Sequence, residues 1–228
     1  MITTNYNELS PAGAVALQQE LRDKIQLTPL QKPVTTIAGA DISFNKYSET
    51  VYAGIIVLSY PGLVPITEST VVSSTKFPYI PGLLGFREVP ALLEAWNKLE
   101  TKPDVLVLDG QGIAHPRRMG IATHFGLVAN TPTIGCAKSL LTGKYDEPAD
   151  LPGATSPLTD KGEVIGAVLR TKRKCNPVYV SPGHLITMQQ SIDIIMNCIT
   201  TYRIPEPTRV AHLFVNRVRT QGLDNSLF

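Results

Sequence analysis

Residues 104–120 read DVLVLDGQGIAHPRRMG. Val105-Leu106-Val107-Leu108 is an uninterrupted apolar run, the pattern of a strand buried on both faces. The run stops at Asp109-Gly110, and Gly112, His115-Pro116 and the adjacent Arg117 and Arg118 follow. A buried strand that delivers a carboxylate to its carboxyl end, followed by a glycine-rich turn, a histidine and paired arginines, has the make-up of a site. Asp-Gly is also a common hairpin turn, in which the aspartate caps backbone amides. No alternating strand follows Gly110, so a two-residue hairpin fits poorly.

On the amino-terminal side, Ser10-Pro11 starts a helix, with serine as cap and proline at the first helical position. Leu17, Leu21 and Ile25 carry its spacing to about Leu27, and Pro29 and Pro33 mark a linker. Residues 37–44 read as a strand that puts Asp41 on a face with small neighbours. Aspartate is disfavoured in strands, and its ordinary explanation is an edge charge pointing at water. A polar turn at 45–50 leads to strands over 51–60 and 66–73, an antiparallel meander. Pro78–Gly82 is a rigid loop. A helix begins near Val89, which leaves Glu88 at a helix N-terminus, where the macrodipole favours an acid anyway.

On the carboxyl-terminal side, 119–129 reads as a helix and 132–137 as a short buried strand leading to Lys138-Ser139. Residues 142–161, rich in Gly, Pro and Asp, read as an exposed loop, and 163–170 and 177–180 as strands. Ser181–His184 turns into a helix from about Thr187 to Tyr202, followed by a basic, partly irregular tail after Pro205. This order implies an α/β sheet mixing antiparallel and parallel strands, in which Asp41 and Asp109 meet if their strands are neighbours.

The chain of 228 residues is expected to form one domain, 1–228. It is 43% hydrophobic and 18% charged with a formal net charge of +2, which excludes a generic polycation and leaves only local patches such as Arg170, Lys172, Arg173 and Lys174 for nucleic acid. Three cysteines with no CxxC spacing argue against a zinc site or a disulfide framework and for a reducing compartment. MITTNYNEL lacks the features of a secretory signal. No apolar run approaches the roughly 20 residues of a membrane span. A cytoplasmic, soluble protein without membrane contact is expected.

Asp41, Glu88 and Asp109 come from three elements, and His184 opens a fourth. Carboxylates are hard ligands suited to Mg²⁺ or Mn²⁺, and a cation held this way can serve an in-line phosphoryl displacement. Lys138, Arg117 and Arg118 are candidates to hold phosphate. The competing explanations are a solvated surface lysine for Lys138 and a structural turn histidine for His115.

These residues resemble the bacterial endonuclease V family, the deoxyinosine 3′ endonucleases. The likeness lies in IAGAD at 37–41, PYIPGLL at 78–84, FRE at 86–88, DGQG and AHPRRMG within 109–120, PTIGCAKSLL at 132–141, the CNP…GH pattern from 175 to 184, and PEPTR at 205–209. It spans most of the chain in order. The resemblance implies a ribonuclease H-like fold and an acidic metal site of Asp41, Glu88 and Asp109, with His184 beside it. Lys138 would support the scissile phosphate, and Tyr79 would be the wedge that keeps the duplex open, where a core tyrosine in a proline turn is the alternative. The implied lesion pocket draws on Gly82, Leu84, Gly110, Gly112, His115, Gly120, Ile121, Gly135, Ala137 and Ser139, because a flipped base must approach the backbone closely. The implied reaction is Mg²⁺-dependent hydrolysis of the second phosphodiester 3′ to deoxyinosine, leaving 3′-hydroxyl and 5′-phosphate ends, with Mn²⁺ as a substitute. Gly85 and Ala114 stand where the family often has serine, and Cys136 where valine is common.

The expected partner is deoxyinosine-containing DNA, single or double stranded, bound by a monomer. Two alternatives remain: a ribonuclease H-like nuclease acting mainly on inosine-containing or other RNA, and a non-catalytic nucleic-acid-binding module using the 170–174 patch. Three carboxylates would repel phosphate unless neutralised by metal, which disfavours the module.

Overall fold

The computed structural model describes residues 6–45 and 48–222. Lys46 and Tyr47, in the turn expected at 45–50, and the first five residues of MITTNYNEL lie outside the described residues. Eight strands form one mixed sheet: β1 Thr36–Phe44, β2 Thr50–Ser59, β3 Pro65–Ser74, β4 Val105–Leu108, β5 Thr133–Ala137, β6 Thr155–Asp160, β7 Glu163–Leu169 and β8 Val178–His184. Their spatial order is β3-β2-β1-β4-β5-β8-β7-β6. β1, β2 and β3 form the antiparallel meander, while β4 lies parallel to both β1 and β5. This is the α/β, ribonuclease H-like arrangement expected from the sequence. Asp41 is no edge residue, because β1 is flanked by β2 and β4.

Both faces of the sheet are buried, as the unbroken VLVL run requires. Ala38, Ala40, Leu106 and Leu108 point to one core with Val89, Leu92, Trp96 and Phe125. Those side chains come from α2 Leu84–Lys98 and α3 Ile121–Ala129, and Ala14 of α1 Pro11–Arg22 joins them. Ile37, Val105, Val107 and Ile134 point to the other core with Ile194, Ile195, Phe214, Val215 and Val218. These belong to α4 Met188–Asn197 and α5 Glu206–Gln221. Gly39 lets α5 settle on β1: a Cβ there would run into the Pro207 carbonyl and stand 2.8 Å from Thr208 N.

Several boundaries differ from the sequence reading. α1 keeps its Ser10 cap but ends at Arg22, not near Leu27. α2 starts at Leu84, so Glu88 sits inside the helix rather than at its N-terminus. The expected 142–161 loop contains β6, which pairs with β7. Ser181-Pro182-Gly183-His184 is not a turn but the end of β8, and a register shift opposite Thr133 and Ile134 accommodates the proline and glycine. α4 stops at Asn197 instead of Tyr202, and the tail expected to be partly irregular carries a 16-residue helix, α5, with residues 223–228 outside the described residues.

Candidate active site

The register Ala40↔Leu108 places Asp41 and Asp109 side by side, one step past the last paired rung of two parallel strands. β5 runs parallel to β4, and Lys138 follows its last residue, Ala137. The Lys138 ammonium is ion-paired with Asp109 Oδ2. Across from them, α5 delivers His212, whose Nδ1 lies 2.7 Å from Asp41 Oδ2. Asp41, Asp109 and His212 each offer a ligand atom, all within 4.8 Å of one another.

This group opens into a cleft of about 460 Å³ whose wall includes Asp41, Glu88, Asp109 and Lys138. Burial, and then the charge of Asp109, raise the Asp41 pKa, against the lowering hydrogen bonds from His212 and the Ile42 amide. Glu88 projects from α2 and is raised further, to about 8, first by burial and then by the charge of Asp41. Its carboxylate stands outside the tight group of three, yet it shares the cleft. Facing acids whose charged forms are disfavoured are what a divalent cation relieves, and hard oxygen donors suit Mg²⁺ or Mn²⁺.

Of the implied lesion-pocket residues, Gly82, Leu84, Gly110, His115, Gly120, Ile121, Ala137 and Ser139 line this cleft. Gly112 and Gly135 do not: they pack backbone against backbone behind it. A Cβ on Gly112 would overlap the Pro182 carbonyl and lie 2.7 Å from Ser181 O, and one on Gly135 would meet Gly110 O at 2.7 Å. His115 is held by the fold while it lines the cleft, with its Nε2 3.0 Å from Gly82 O and Nδ1 accepting from Arg117 N. Burial is the main cause that lowers its pKa to about 4, so it is neutral at pH 7. Tyr79 is 59% exposed at the mouth of the cleft, with its ring 6.3 Å from that of Phe44, which overturns the core-tyrosine alternative. Gln111, not singled out in the sequence, is also in the wall and donates from Nε2 to Ser139 O at 3.1 Å.

Three expectations are corrected. His184 is not beside the acids: β8 runs antiparallel to β5, so His184 pairs with Thr133 at the far end, and its Nδ1 accepts from Gln26 N. The histidine at the acidic site is His212, which sequence reading missed. Its signal was present in the spacing of Ala211, Phe214, Val215 and Val218, all buried. Arg118 cannot offer itself to phosphate, being buried and held by Asp160 at 2.9 Å and Glu163 at 2.8 Å. Arg117 is likewise committed, donating to Gly82 O at 2.8 Å, where it braces the loop after Tyr79. In the basic patch Arg170 is buried against Glu147, leaving Lys172, Arg173 and Lys174 toward solvent. Among the described residues no helix is long and apolar enough to cross a membrane.

The family model described as Endonuclease V matches residues 19–213. An endonuclease V from Trichormus variabilis is 50% identical over 204 residues, covering 89% of this chain and 92% of that protein. One from Myxococcus xanthus is 46% identical over 213 residues, covering 93% and 91%. Among solved structures, the endonuclease V of Streptomyces avermitilis matches with a TM-score of 0.90 at 35% identity, covering 94% of this chain and 95% of that one. That of Ciona intestinalis, in complex with a 24mer DNA containing an inosine followed by a ribo-adenosine, matches with a TM-score of 0.80 at 29% identity, covering 92% and 98%.

Proposed function

The chain belongs to the endonuclease V family, and on that premise we propose that it is a cytoplasmic, monomeric, Mg²⁺-dependent DNA repair endonuclease that recognises deoxyinosine. In this reading residues 1–228 act as one domain, and the second phosphodiester 3′ to the lesion is hydrolysed to 3′-hydroxyl and 5′-phosphate ends. The observation that carries the proposal is the meeting of Asp41 and Asp109, from two parallel strands, in the wall of a cleft of about 460 Å³, with His212 grouped beside them.

Asp41 and Asp109 would hold the cation, with Glu88 completing the acidic wall. When bound, the cation polarises the phosphoryl oxygen and lowers the pKa of its bound water. Lys138, paired with Asp109, is placed to exchange that carboxylate for a phosphate oxygen. The flipped base enters between Leu84, Gly110, Gly120, Ile121, Ala137 and Ser139, where bare glycine backbone permits close approach. Gly82 and His115 are tied to each other at its rim. Tyr79, exposed and pre-set by Pro78 and Pro81, fills the gap that the base leaves in the stack.

The test is a nicking assay on one oligonucleotide with and without inosine and with and without Mg²⁺, the product ends being mapped on a denaturing gel. Cleavage that ignores inosine, or that proceeds in a chelator, would defeat the proposal. A second reading, an inosine-directed ribonuclease, is favoured by the ribo-adenosine after the inosine in the Ciona intestinalis complex. Matched DNA and RNA oligonucleotides in the same assay separate the two.

A further inference from the structure

A chain of hydrogen bonds leads from the outer end of α5 back to Asp41. Arg219 donates from Nε to Ser43 Oγ at 2.8 Å and from Nη1 to Asn45 Oδ1 at 2.7 Å. Ser43 Oγ donates to Asn216 Oδ1 at 2.9 Å. Asn216 Nδ2 stands 3.0 Å from His212 Nε2 and also donates to His212 O at 3.0 Å. His212 Nδ1 then reaches Asp41 Oδ2 at 2.7 Å.

The two ends of this chain are chemically one-sided. A guanidinium can only donate, and a carboxylate only accepts. Asn216 must turn its nitrogen toward His212, because the His212 backbone oxygen can only accept, and this leaves the amide oxygen facing Ser43 and Arg219, whose Nη2 lies 3.5 Å from it. The amide nitrogen therefore faces His212, whose Nε2 accepts and whose proton sits on Nδ1, facing Asp41. Neither ring nitrogen then has a free lone pair to give to a cation.

We propose that Asn216 is a positioning residue that keeps His212 as the Nδ1–H tautomer, so that His212 orients Asp41 and does not itself ligate the metal. This rests on the cation site proposed above. It makes that site all-oxygen and so favours Mg²⁺ over ions that accept nitrogen ligands readily. Without the Asn216 donor, His212 is free to carry its proton on Nε2 and to turn a bare nitrogen toward the carboxylates.

The experiment titrates DNA-free wild type and Asn216→Leu with MgCl₂ and with MnCl₂, following melting temperature, and counts bound Mn²⁺ by electron paramagnetic resonance. In Asn216→Leu the half-saturating Mg²⁺ concentration should rise roughly ten- to hundredfold, as when outer-shell partners are lost. Mn²⁺ should weaken less, so the Mn²⁺-to-Mg²⁺ preference rises. Unchanged affinities, or equal weakening of both ions, would overturn the inference, since a merely structural role has no reason to alter selectivity. Should Asn216→Leu not fold, Ser43→Ala performs the same test by freeing the Asn216 amide to turn, with a smaller change in the same direction. Absence of stabilisation of the wild type by either ion would sink the metal reading itself, and this inference with it.

Discussion

His212 Nδ1 lies 2.7 Å from Asp41 Oδ2, joining the first strand to the last helix. Asp41 also faces Asp109 across the β1–β4 seam. Replacing either aspartate by alanine should reduce nicking to background. The metal-free protein should melt no lower, because one of two mutually repelling acids is gone. Paired nicking and melting measurements check this, and near-wild-type Mg²⁺-dependent cleavage by Asp109→Ala would contradict it.

Glu88 carries a stability cost whose sign follows from its pKa, which burial and then the charge of Asp41 push up from the ordinary carboxylate range to about 8. The unfolded chain ionises this group near its ordinary value, whereas the folded, metal-free protein holds the proton until about pH 8. Stability is therefore lost as pH rises across that window. Glu88→Gln should raise the melting temperature of metal-free protein at pH 8 by a few degrees, about 2–4 °C for each kcal/mol recovered, while nicking falls. A lowered melting temperature would mean that the carboxylate is a structural anchor.

Tyr79→Ala should leave the melting temperature nearly unchanged, because an exposed ring loses little packing. Binding to inosine duplexes should weaken by roughly 1–3 kcal/mol, the worth of one stacked base, with less effect on single strands. Gel-shift titrations on both forms measure the difference. Equal weakening on both would remove the wedge role.

Gly112→Val should unfold or strongly destabilise the protein, because its Cβ would overlap the Pro182 carbonyl and neither backbone can yield cheaply. All substrates should suffer alike. A well-folded variant impaired on inosine alone would put Gly112 back in the pocket.

His124 is fully buried, with Nε2 3.0 Å from the Tyr6 hydroxyl, and burial lowers its pKa to about 4. The unfolded chain takes up the proton from about pH 6.5 downward, so stability is intact above that value and lost as pH falls toward 4. The loss is on the order of 3 kcal/mol. His124→Gln should flatten the dependence of melting temperature on pH in this window; an unchanged slope would assign the acid limb to His115 and other groups.

The sheet and the two aspartates were legible in the sequence because burial on both faces leaves an unmistakable VLVL run, and a carboxylate at its end has few structural uses. Glu88 and Tyr79 were found as residues, but the start of α2 was misplaced because Pro90 resembles a first-turn proline when it lies inside the helix. β6 was hidden by Pro157 and by the Gly, Pro and Asp of its approaches, since strand pairing at a sheet edge tolerates residues that local preference disfavours. His212 was missed for a different reason. Four charged residues and Pro207 obscured the apolar stripe of α5, and the GH pattern at 183–184 supplied a histidine that antiparallel pairing carries to the wrong end of the sheet.

Gly39, by admitting the first turn of α5 onto β1, also sets the order in which the enzyme is finished. His212 follows Asp41 by 171 positions. During synthesis β1 and β4 leave the ribosome, and both acids are exposed, while the segment bearing His212, Asn216 and Arg219 has yet to be made. A half-made chain thus holds its aspartates without the clamp that orients them. Competence to cut arrives only when the late helix closes over the early strand, so prematurely terminated chains ending before residue 206 should be inert toward DNA.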